Sequence, residues 1–474
     1  MGRETDPPDH TDPYRPAVGP RRRLPFLRRV ISSMLPPQLV AFGFLAVILI
    51  GSILLALPIS WAGEPPQLMD VIFTATSATC VTGLITRDTA TEWSWVGQLV
   101  ILVLVQIGGL GIMSLSALVQ LLLNRRLGTR GQNVLSQALD LSMRHRLRDV
   151  IRIIGLSTLI IESVGFMVLL VLFLAGGMPF ARAIPQAGFH SISAYCNAGF
   201  SLNSDSLMGH GDDAGVLLTV AVLVVLGGLG FTVYTNLYLM FRNRGKRPPE
   251  RMTLQTRIVL WTTAALLVGG AAGLYLTECL HGSPWAGGGV GYRLSQAAFH
   301  SVSARTAGFN SASIAAMTDA GLFLLIVLMF IGASPGSTGG GMKTTSLAAI
   351  FAAIVAMARH RQTVEWGDRS IPRMTVYRAM AVGALFLICI SGGTLSLLLT
   401  EGFALRDALF ETTSALCTVG LSTGVTPHLS TSGKILVTLL MYVGRLGPLT
   451  LLVSLGSFGA RGELEYPEAP VAVG

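Results

Sequence analysis

Charged side chains are scarce in this sequence. Asp, Glu, Lys and Arg make up 12% of the 474 residues, whereas hydrophobic residues make up 51%. Soluble domains carry roughly twice that share of charge, so a water-soluble enzyme or binding domain is disfavoured. The mean hydropathy of +0.61 indicates instead a membrane protein with several spans.

Cysteine is scarce as well, and its distribution excludes two kinds of site. The chain has neither a CxxC pair nor a His cluster at metal-ligand spacing, so no disulfide framework, structural metal or cofactor is expected. The five cysteines are Cys80, Cys196, Cys279, Cys389 and Cys417. The N-terminal region also lacks an apolar core followed by a small-residue cleavage site, which argues against a signal peptide.

Long apolar runs, by contrast, are abundant. Eight of them are each about long enough to cross a hydrocarbon core of roughly 30 Å, although the sixth is short. They lie near 38–58, 96–123, 150–175, 215–241, 257–277, 318–333, 379–400 and 434–456. The sequence therefore predicts an all-α polytopic membrane protein with eight transmembrane helices.

The net charge of +9 is concentrated in a few stretches. Seven, six, six and five basic residues, 24 of the 34 Lys and Arg, lie in 1–36, 124–149, 242–257 and 359–378. Pairs of spans separate these stretches, so they share one face, which the positive-inside rule makes the cytoplasm of a bacterial-type plasma membrane. We expect cytoplasmic tails at 1–37, disordered, and at 459–474, with anionic lipid rather than nucleic acid as the electrostatic partner.

One phrase occurs four times along the chain. It reads SATCVTGL at 77–84, SAYCNAGF at 193–200, SARTAGF at 303–309 and SALCTVGL at 414–421. Its glycines are spaced by 116, 109 and 112 residues, and each follows one apolar run and precedes another. The chain is therefore predicted to be a fourfold repeat, with units at 38–123, 149–241, 256–358 and 376–458.

A short amphipathic segment precedes the glycine in each unit, at 70–79, 184–195, 294–304 and 407–416. These segments are too short to cross the membrane, so we expect re-entrant helices, with Asp70 and Asp407 as N-caps, each followed by an extended strand. Irregular backbone at membrane depth is tolerated only inside protein or along a water-filled cavity. The four repeats are therefore expected to surround one central pore.

The glycine phrases have the composition of a cation filter. Glycine permits backbone angles that turn carbonyls toward an axis, and Thr418-Val419-Gly420 matches the opening of the potassium-channel filter TVGYG. Close helix packing is the alternative for a single phrase, but four recurrences disfavour it. The third phrase is one residue shorter, so imperfect symmetry is expected there. The predicted K⁺-binding filter residues are Val81, Thr82, Gly83, Asn197, Ala198, Gly199, Thr306, Ala307, Gly308, Thr418, Val419 and Gly420.

The run GASPGSTGGGMKTTS at 332–346 superficially matches two catalytic signatures. Ser334 lies in a G-x-S-x-G pattern, but an apolar span rather than a strand precedes it, and Met342 separates Gly341 from Lys343 where a P-loop requires them adjacent. An intramembrane serine hydrolase built on Ser334 with His300 is a distant alternative. A span interrupted by Gly, Ser and Pro favours a permeation path.

Ionisable residues inside the predicted spans are further candidates. Arg445 lies about a dozen residues into the last span, where a charge is costly, so it is either functional or a partner for a helix end. Glu162 could pair with Arg445 or with Lys343, or make a helix-packing hydrogen bond. Lys343 could also extend to the cytoplasmic interface.

The four glycine phrases and the run at 332–346 resemble the Trk/Ktr/HKT superfamily of potassium transporters, and most of all its Ktr-type membrane subunit. Further support comes from SVSARTAGFNS at 301–311 and YVGRLGPLT at 442–450, and the resemblance covers about 37–457. Trk-type members usually carry an extra pair of N-terminal spans, which has no counterpart ahead of Gln38. Plant-type members often have Ser where Gly83 stands, so both departures favour the Ktr type.

The resemblance implies K⁺ uptake by a homodimer with one pore per subunit and a cytosolic nucleotide-binding regulatory ring (KtrA-like, RCK) as partner. It implies that 332–346 is an intramembrane gating loop and that Arg445 stands in the pore beneath the filter. The gate residues would be Gly336, Gly339, Gly340, Gly341, Lys343 and Arg445. A Na⁺-selective or non-selective pathway of the same fold is left open, as is Na⁺ as an activating or coupled ion.

Overall fold

The computed structural model describes residues 36–111, 147–243, 251–280 and 284–448. Within these ranges the chain is almost wholly α-helical, and two short strands form its one described sheet. The predicted tails lie outside the described residues, apart from Pro36 and Pro37, which begin the first helix.

Each predicted repeat contains one long apolar helix near its start. These are α1 (Pro36–Ala56), α4 (Leu147–Ala175), α8 (Leu254–Leu280) and α12 (Arg373–Glu401). In the described part of the chain, these four are long and apolar enough to cross a membrane unbroken. At most a third of each apolar window is buried within the chain, so most of each helix surface is left uncovered by the rest of the chain.

A short helix follows each long one and packs against it. The short helices are α2 (Leu68–Thr79), α5 (Phe180–Tyr195), α9 (Val290–Ser303) and α13 (Leu405–Leu416). The prediction of Asp70 and Asp407 as N-caps is wrong, because Gln67 and Ala404 occupy those positions. Both aspartates lie in the first helical turn, where a carboxylate still interacts favourably with the helix dipole.

The second apolar element of each repeat begins with a capping side chain. The elements are α3 (Trp95–Gly109), α6 with α7 (Ala214–Leu229 and Phe231–Arg242), α10 with α11 (Asp319–Phe330 and Thr344–Ala358) and α14 (Thr431–Leu446). The caps are Ser94, Asp213, Thr318 and Ser430, whose side-chain oxygens accept first-turn N–H groups. This repetition supports the fourfold organisation.

Two of these second elements are broken. The sixth apolar run is interrupted between α10 and α11, as its glycines predicted. The fourth run was expected to be continuous over 215–241, but it bends by 89° between α6 and α7. Gly230 lies at the bend with φ +88°, a conformation that favours glycine.

The only described strands, β1 (Val364–Trp366) and β2 (Arg369–Ile371), form an antiparallel hairpin between α11 and α12. The hairpin lies in the basic stretch 359–378, so it belongs to the face that the charge distribution predicts to be cytoplasmic. We call this the inner face and the opposite one the outer face.

Candidate ion pathway

A glycine segment follows each short helix, and all four have the same backbone pattern. The segments are 80–84, 196–200, 304–309 and 417–421. In each, the glycine and the residue two positions before it have positive φ: Val81 and Gly83, Asn197 and Gly199, Thr306 and Gly308, Thr418 and Gly420. A positive φ is rare for β-branched Val and Thr, so its recurrence marks a functional constraint.

The four glycine segments contact one another in a closed ring. A Cβ atom placed on Gly83, Gly199, Gly308 or Gly420 would lie 2.4, 2.8, 2.4 or 2.1 Å from the carbonyl oxygen of Ala198, Ala307, Val419 or Thr82, respectively. Segment 1 therefore touches segment 2, and so on until segment 4 returns to segment 1. The backbones approach so closely that no side chain fits at any of the four positions.

A serine in each short helix tethers its glycine segment. Ser77 Oγ donates to Leu84 O at 2.7 Å and accepts from Gly83 N at 3.1 Å, and Ser193 Oγ donates to Phe200 O at 2.7 Å. Ser303 donates to Phe309 O, and Ser414 accepts from Gly420 N. These serines open the repeated phrase, yet the sequence reasoning gave them no role.

The third repeat, whose phrase is one residue shorter, differs at the helix end rather than at the glycine. Thr82, Ala198 and Val419 donate backbone bonds of 2.8 Å to the carbonyl five residues earlier, whereas Ala307 bonds Ser303 O, four residues earlier. Arg305 takes the place that Cys80, Cys196 and Cys417 hold in the other segments. Its backbone N–H donates to Val302 O at 3.1 Å, while its buried side chain makes no hydrogen bond or ion pair with any described residue.

An outer cavity of about 300 Å³ lies against the ring. It is lined by all four glycines and by the polar residues that follow them, including Ser201, Asn310 and Ser422. Buried side chains of the short helices support this lining: His190 Nε2 lies 2.9 Å from Ser201 Oγ, and Glu411 accepts from Ser422 at 2.9 Å. His190 is therefore placed behind the cavity wall as a structural partner.

The inner loop (331–343), which joins α10 to α11, contacts the glycine segments from the other side. A Cβ atom on Gly339 would lie 2.0 Å from Thr306 Oγ1, and one on Gly340 would lie 2.0 Å from Thr418 Oγ1. The loop thus lies directly beneath segments 3 and 4. Its glycines are needed because any side chain would collide with these threonines.

Two cations hold the inner loop in this position. The Arg445 guanidinium donates to Thr338 O of the loop and to Gly108 O of α3, and it is buried. Lys343 Nζ donates to Gly339 O at 2.7 Å. Gly336, also predicted to belong to the gate, lies earlier in the loop, where its carbonyl accepts from Phe231 N at the bend between α6 and α7.

Glu162 is a partner of neither cation. Its carboxylate accepts from Gln106 Nε2 at 3.0 Å and lies 3.9 Å from Cys196 Sγ. It thereby links α4 to α3 and to the second glycine segment, which is the helix-packing role that the sequence left open.

A second repeated phrase was missed by the sequence reasoning. It reads GGLG at 108–111 and 227–230 and GRLG at 444–447. A Cβ atom on Gly108, Gly227 or Gly444 would lie 2.0, 1.9 or 1.8 Å from the carbonyl oxygen of Thr79, Tyr195 or Leu416, the last residue of each short helix. Arg445 thus replaces the second glycine of this phrase, and a repeat search extended beyond the first phrase could have found it.

Comparison with known proteins agrees with this arrangement. Residues 31–456 match the TrkH family model, described as cation transport protein. The chain belongs to the TrkH family. It is 36% identical to the potassium/sodium uptake protein NtpJ of Enterococcus hirae, over 94% of this chain and 99% of that one. It is 37% identical to the Ktr system potassium uptake protein B of Vibrio alginolyticus, over 92% and 95%.

The fold is also that of a solved structure. The potassium transporter TrkH from Vibrio parahaemolyticus superposes with a TM-score of 0.67 at 22% identity, covering 89% of this chain and 86% of that chain. The resemblance to the Trk/Ktr superfamily is thereby confirmed, and this TrkH-family chain is a multi-pass membrane transporter, not an enzyme. The hydrolase alternative is wrong, and Ser334 Oγ accepts from Thr344 rather than pairing with His300.

Proposed function

We propose that this TrkH-family chain takes up K⁺ across a bacterial plasma membrane through a filter made of its four glycine segments. In this proposal the four repeats supply eight transmembrane helices around one pore, with both termini in the cytoplasm. The observation that carries the proposal is the closed ring of glycines between an outer cavity and a loop on the inner side.

The ring has the properties that K⁺ coordination requires. Because no side chain fits at the glycines, only backbone can line the passage there, and carbonyl oxygens can replace the hydration shell of a dehydrated cation. The recurrent positive φ values allow successive carbonyls to face one side of each segment. The twelve residues predicted from the phrases are therefore proposed to bind K⁺.

The inner loop and Arg445 are proposed to form the gate. The loop lies directly beneath two segments, and Arg445 holds one of its carbonyls. A positive charge near the passage also repels K⁺, by about 4 kcal/mol for unit charges 4 Å apart at an effective dielectric near 20. Moving the loop and Arg445 together would remove both the loop from beneath the segments and the repulsion of K⁺ by the arginine.

The names of the relatives support a second ion and a partner. NtpJ is named for potassium and sodium uptake, so Na⁺ conduction, or Na⁺ as a coupled or activating ion, is the second candidate. Two relatives are named as components of a Ktr system, which supports a partner protein, and we propose that this partner is a cytosolic regulatory ring bound to a homodimer of the chain.

Flux into proteoliposomes tests the proposal. Purified protein should admit ⁸⁶Rb⁺ with competition by K⁺ at much lower concentration than by Na⁺. Equal competition by Na⁺ would favour the non-selective pathway, and absence of flux with and without the regulatory ring would contradict conduction. Gly155→Ala is a matched control, because a Cβ atom there would meet nothing within 4 Å.

A further inference from the structure

An apolar cleft of about 500 Å³ lies on the membrane-facing surface between α8 and α11. Its wall includes Trp261, Ala265, Leu347 and Phe351, and Trp366 of β1 also lines it. The one hydroxyl of the lining, on Thr262, already donates to Ile258 O within α8. Apart from the indole N–H groups of Trp261 and Trp366, the lining therefore offers no free polar side-chain group, and it suits a hydrocarbon chain better than a polar ligand.

The hairpin places an arginine beside this cleft. Trp366 and Arg369 are directly opposite in the antiparallel register, so their side chains lie on one face of the hairpin about 5 Å apart at Cβ. The Arg369 side chain is exposed and makes no hydrogen bond or close ion pair with the residues that the structure describes; the nearby Asp368, which is hydrogen-bonded to Arg257, acts on it only electrostatically. A free guanidinium thus adjoins the aromatic side chain that lines the cleft.

The surrounding charge is positive and only partly neutralised. The stretch 359–378 has five arginines and two carboxylates, and both carboxylates are in ion pairs, Glu365 with Arg361 and Asp368 with Arg257. The hydrogen bond from Arg257 lowers the pKa of Asp368, so this carboxylate stays charged and Arg257 balances its charge. A guanidinium fork without a carboxylate partner is suited to bidentate binding of a phosphate.

We propose that this cleft binds an anionic phospholipid, with one acyl chain between α8 and α11 and the headgroup phosphate on Arg369. The charge of the hairpin selects an anionic headgroup over a zwitterionic one. The site lies on the first two turns of α11, the helix that begins directly after the inner loop. Bound lipid would therefore contact the helix that directly follows the proposed gate.

Tryptophan quenching by brominated lipids tests the site in proteoliposomes. The fluorescence of Trp366 is obtained as the difference between the emission of the unmodified protein and that of Trp366→Phe. We expect brominated phosphatidylglycerol to quench it at least about twofold more than brominated phosphatidylcholine at equal mole fraction, the ratio falling to about one in Arg369→Gln. Arg182→Gln is the control, because Arg182 is exposed on a different helix, α5, and should leave the ratio unchanged.

A second variant separates the acyl chain from the headgroup. Ala265→Phe fills the cleft from its exposed rim and should reduce quenching of Trp366 by both lipids while Arg369 stays in place. A ratio of one in the unmodified protein, or an unchanged ratio in Arg369→Gln, would overturn the proposal. Absence of quenching by either lipid would also overturn it, in favour of a second copy of the chain covering the cleft.

Discussion

The outer and inner sides of the glycine ring differ in how closely the repeats match. On the outer side, every repeat has a serine tether, a glycine of positive φ and a contact with the next segment. On the inner side, the third repeat is the one that carries such a loop within the described residues, and Arg445 stands where two other repeats have Gly109 and Gly228. A ring built from one chain can thus keep four similar contributions at the proposed site of ion coordination and place single features at the proposed gate.

The largest effect is expected on the outer side, at Gly420. Gly420→Ser places Cβ 2.1 Å from Thr82 O at φ +96°, so the ring must open there. We expect K⁺ over Na⁺ preference to fall at least about tenfold, or about 1.4 kcal/mol, in competition for ⁸⁶Rb⁺ uptake.

A series at equivalent positions sharpens this test. Gly83→Ser should be intermediate and Gly199→Ser mildest, because the same contacts are 2.4 and 2.8 Å there. Each variant must first elute as a folded protein in gel filtration. Wild-type selectivity in folded Gly420→Ser would mean that the ring is not the filter.

On the inner side, Arg445→Ala should raise K⁺ flux in the absence of any partner protein. The substitution removes both a positive charge and the hydrogen bond to Thr338 O, and we expect about a tenfold increase, or about 1.4 kcal/mol of barrier. Selectivity should stay near wild type, since the outer contacts are untouched. Arg445→Lys keeps the charge and should remain slow; a folded Arg445→Ala with unchanged flux would place the gate elsewhere.

A substitution in the inner loop should also raise K⁺ flux, but by less than Arg445→Ala. Gly340→Ala cannot keep its position 2.0 Å from Thr418 Oγ1, so the loop must move away from the ring. We expect flux to rise about fivefold, or about 1 kcal/mol. Ser337→Ala, which adds no volume in the same loop, is the control, and equal flux in both variants would argue that the loop does not occlude the path.

The smallest effect concerns how the first and last repeats are joined. Lys434 of α14 donates to the buried Asp70 of α2 at 2.7 Å, while the ion pair between Arg406 and Asp319 is largely exposed. Asp70 keeps a second partner in Arg87 at 3.5 Å, so Lys434→Met should lower the free energy of unfolding by only about 0.5–1 kcal/mol, and Arg406→Gln by less. Thermal unfolding in detergent measures both; an equal or reversed order would contradict this assignment.

Much of the arrangement could be predicted because it repeats along the sequence. Four copies of one phrase indicated the four glycine segments, and the run of glycines at 339–341 indicated the break after α10. Contacts between repeats could not be predicted in this way, because nothing local in Arg445 shows that Thr338 O and Gly108 O are its acceptors. The bend at Gly230 was missed since hydropathy is averaged over a window and does not register one backbone angle.

The contact between Asp70 and Lys434 joins residues 364 positions apart, and it links the same two repeats whose glycine segments meet at Gly420 and Thr82. A nascent chain that has inserted only three repeats therefore holds three segments with an open side, and the ring closes only after the last repeat enters the membrane. Such non-local contacts form late and slowly. Chains truncated within the last repeat should consequently be recognised by quality-control proteases as unfinished, however well their first three repeats have inserted.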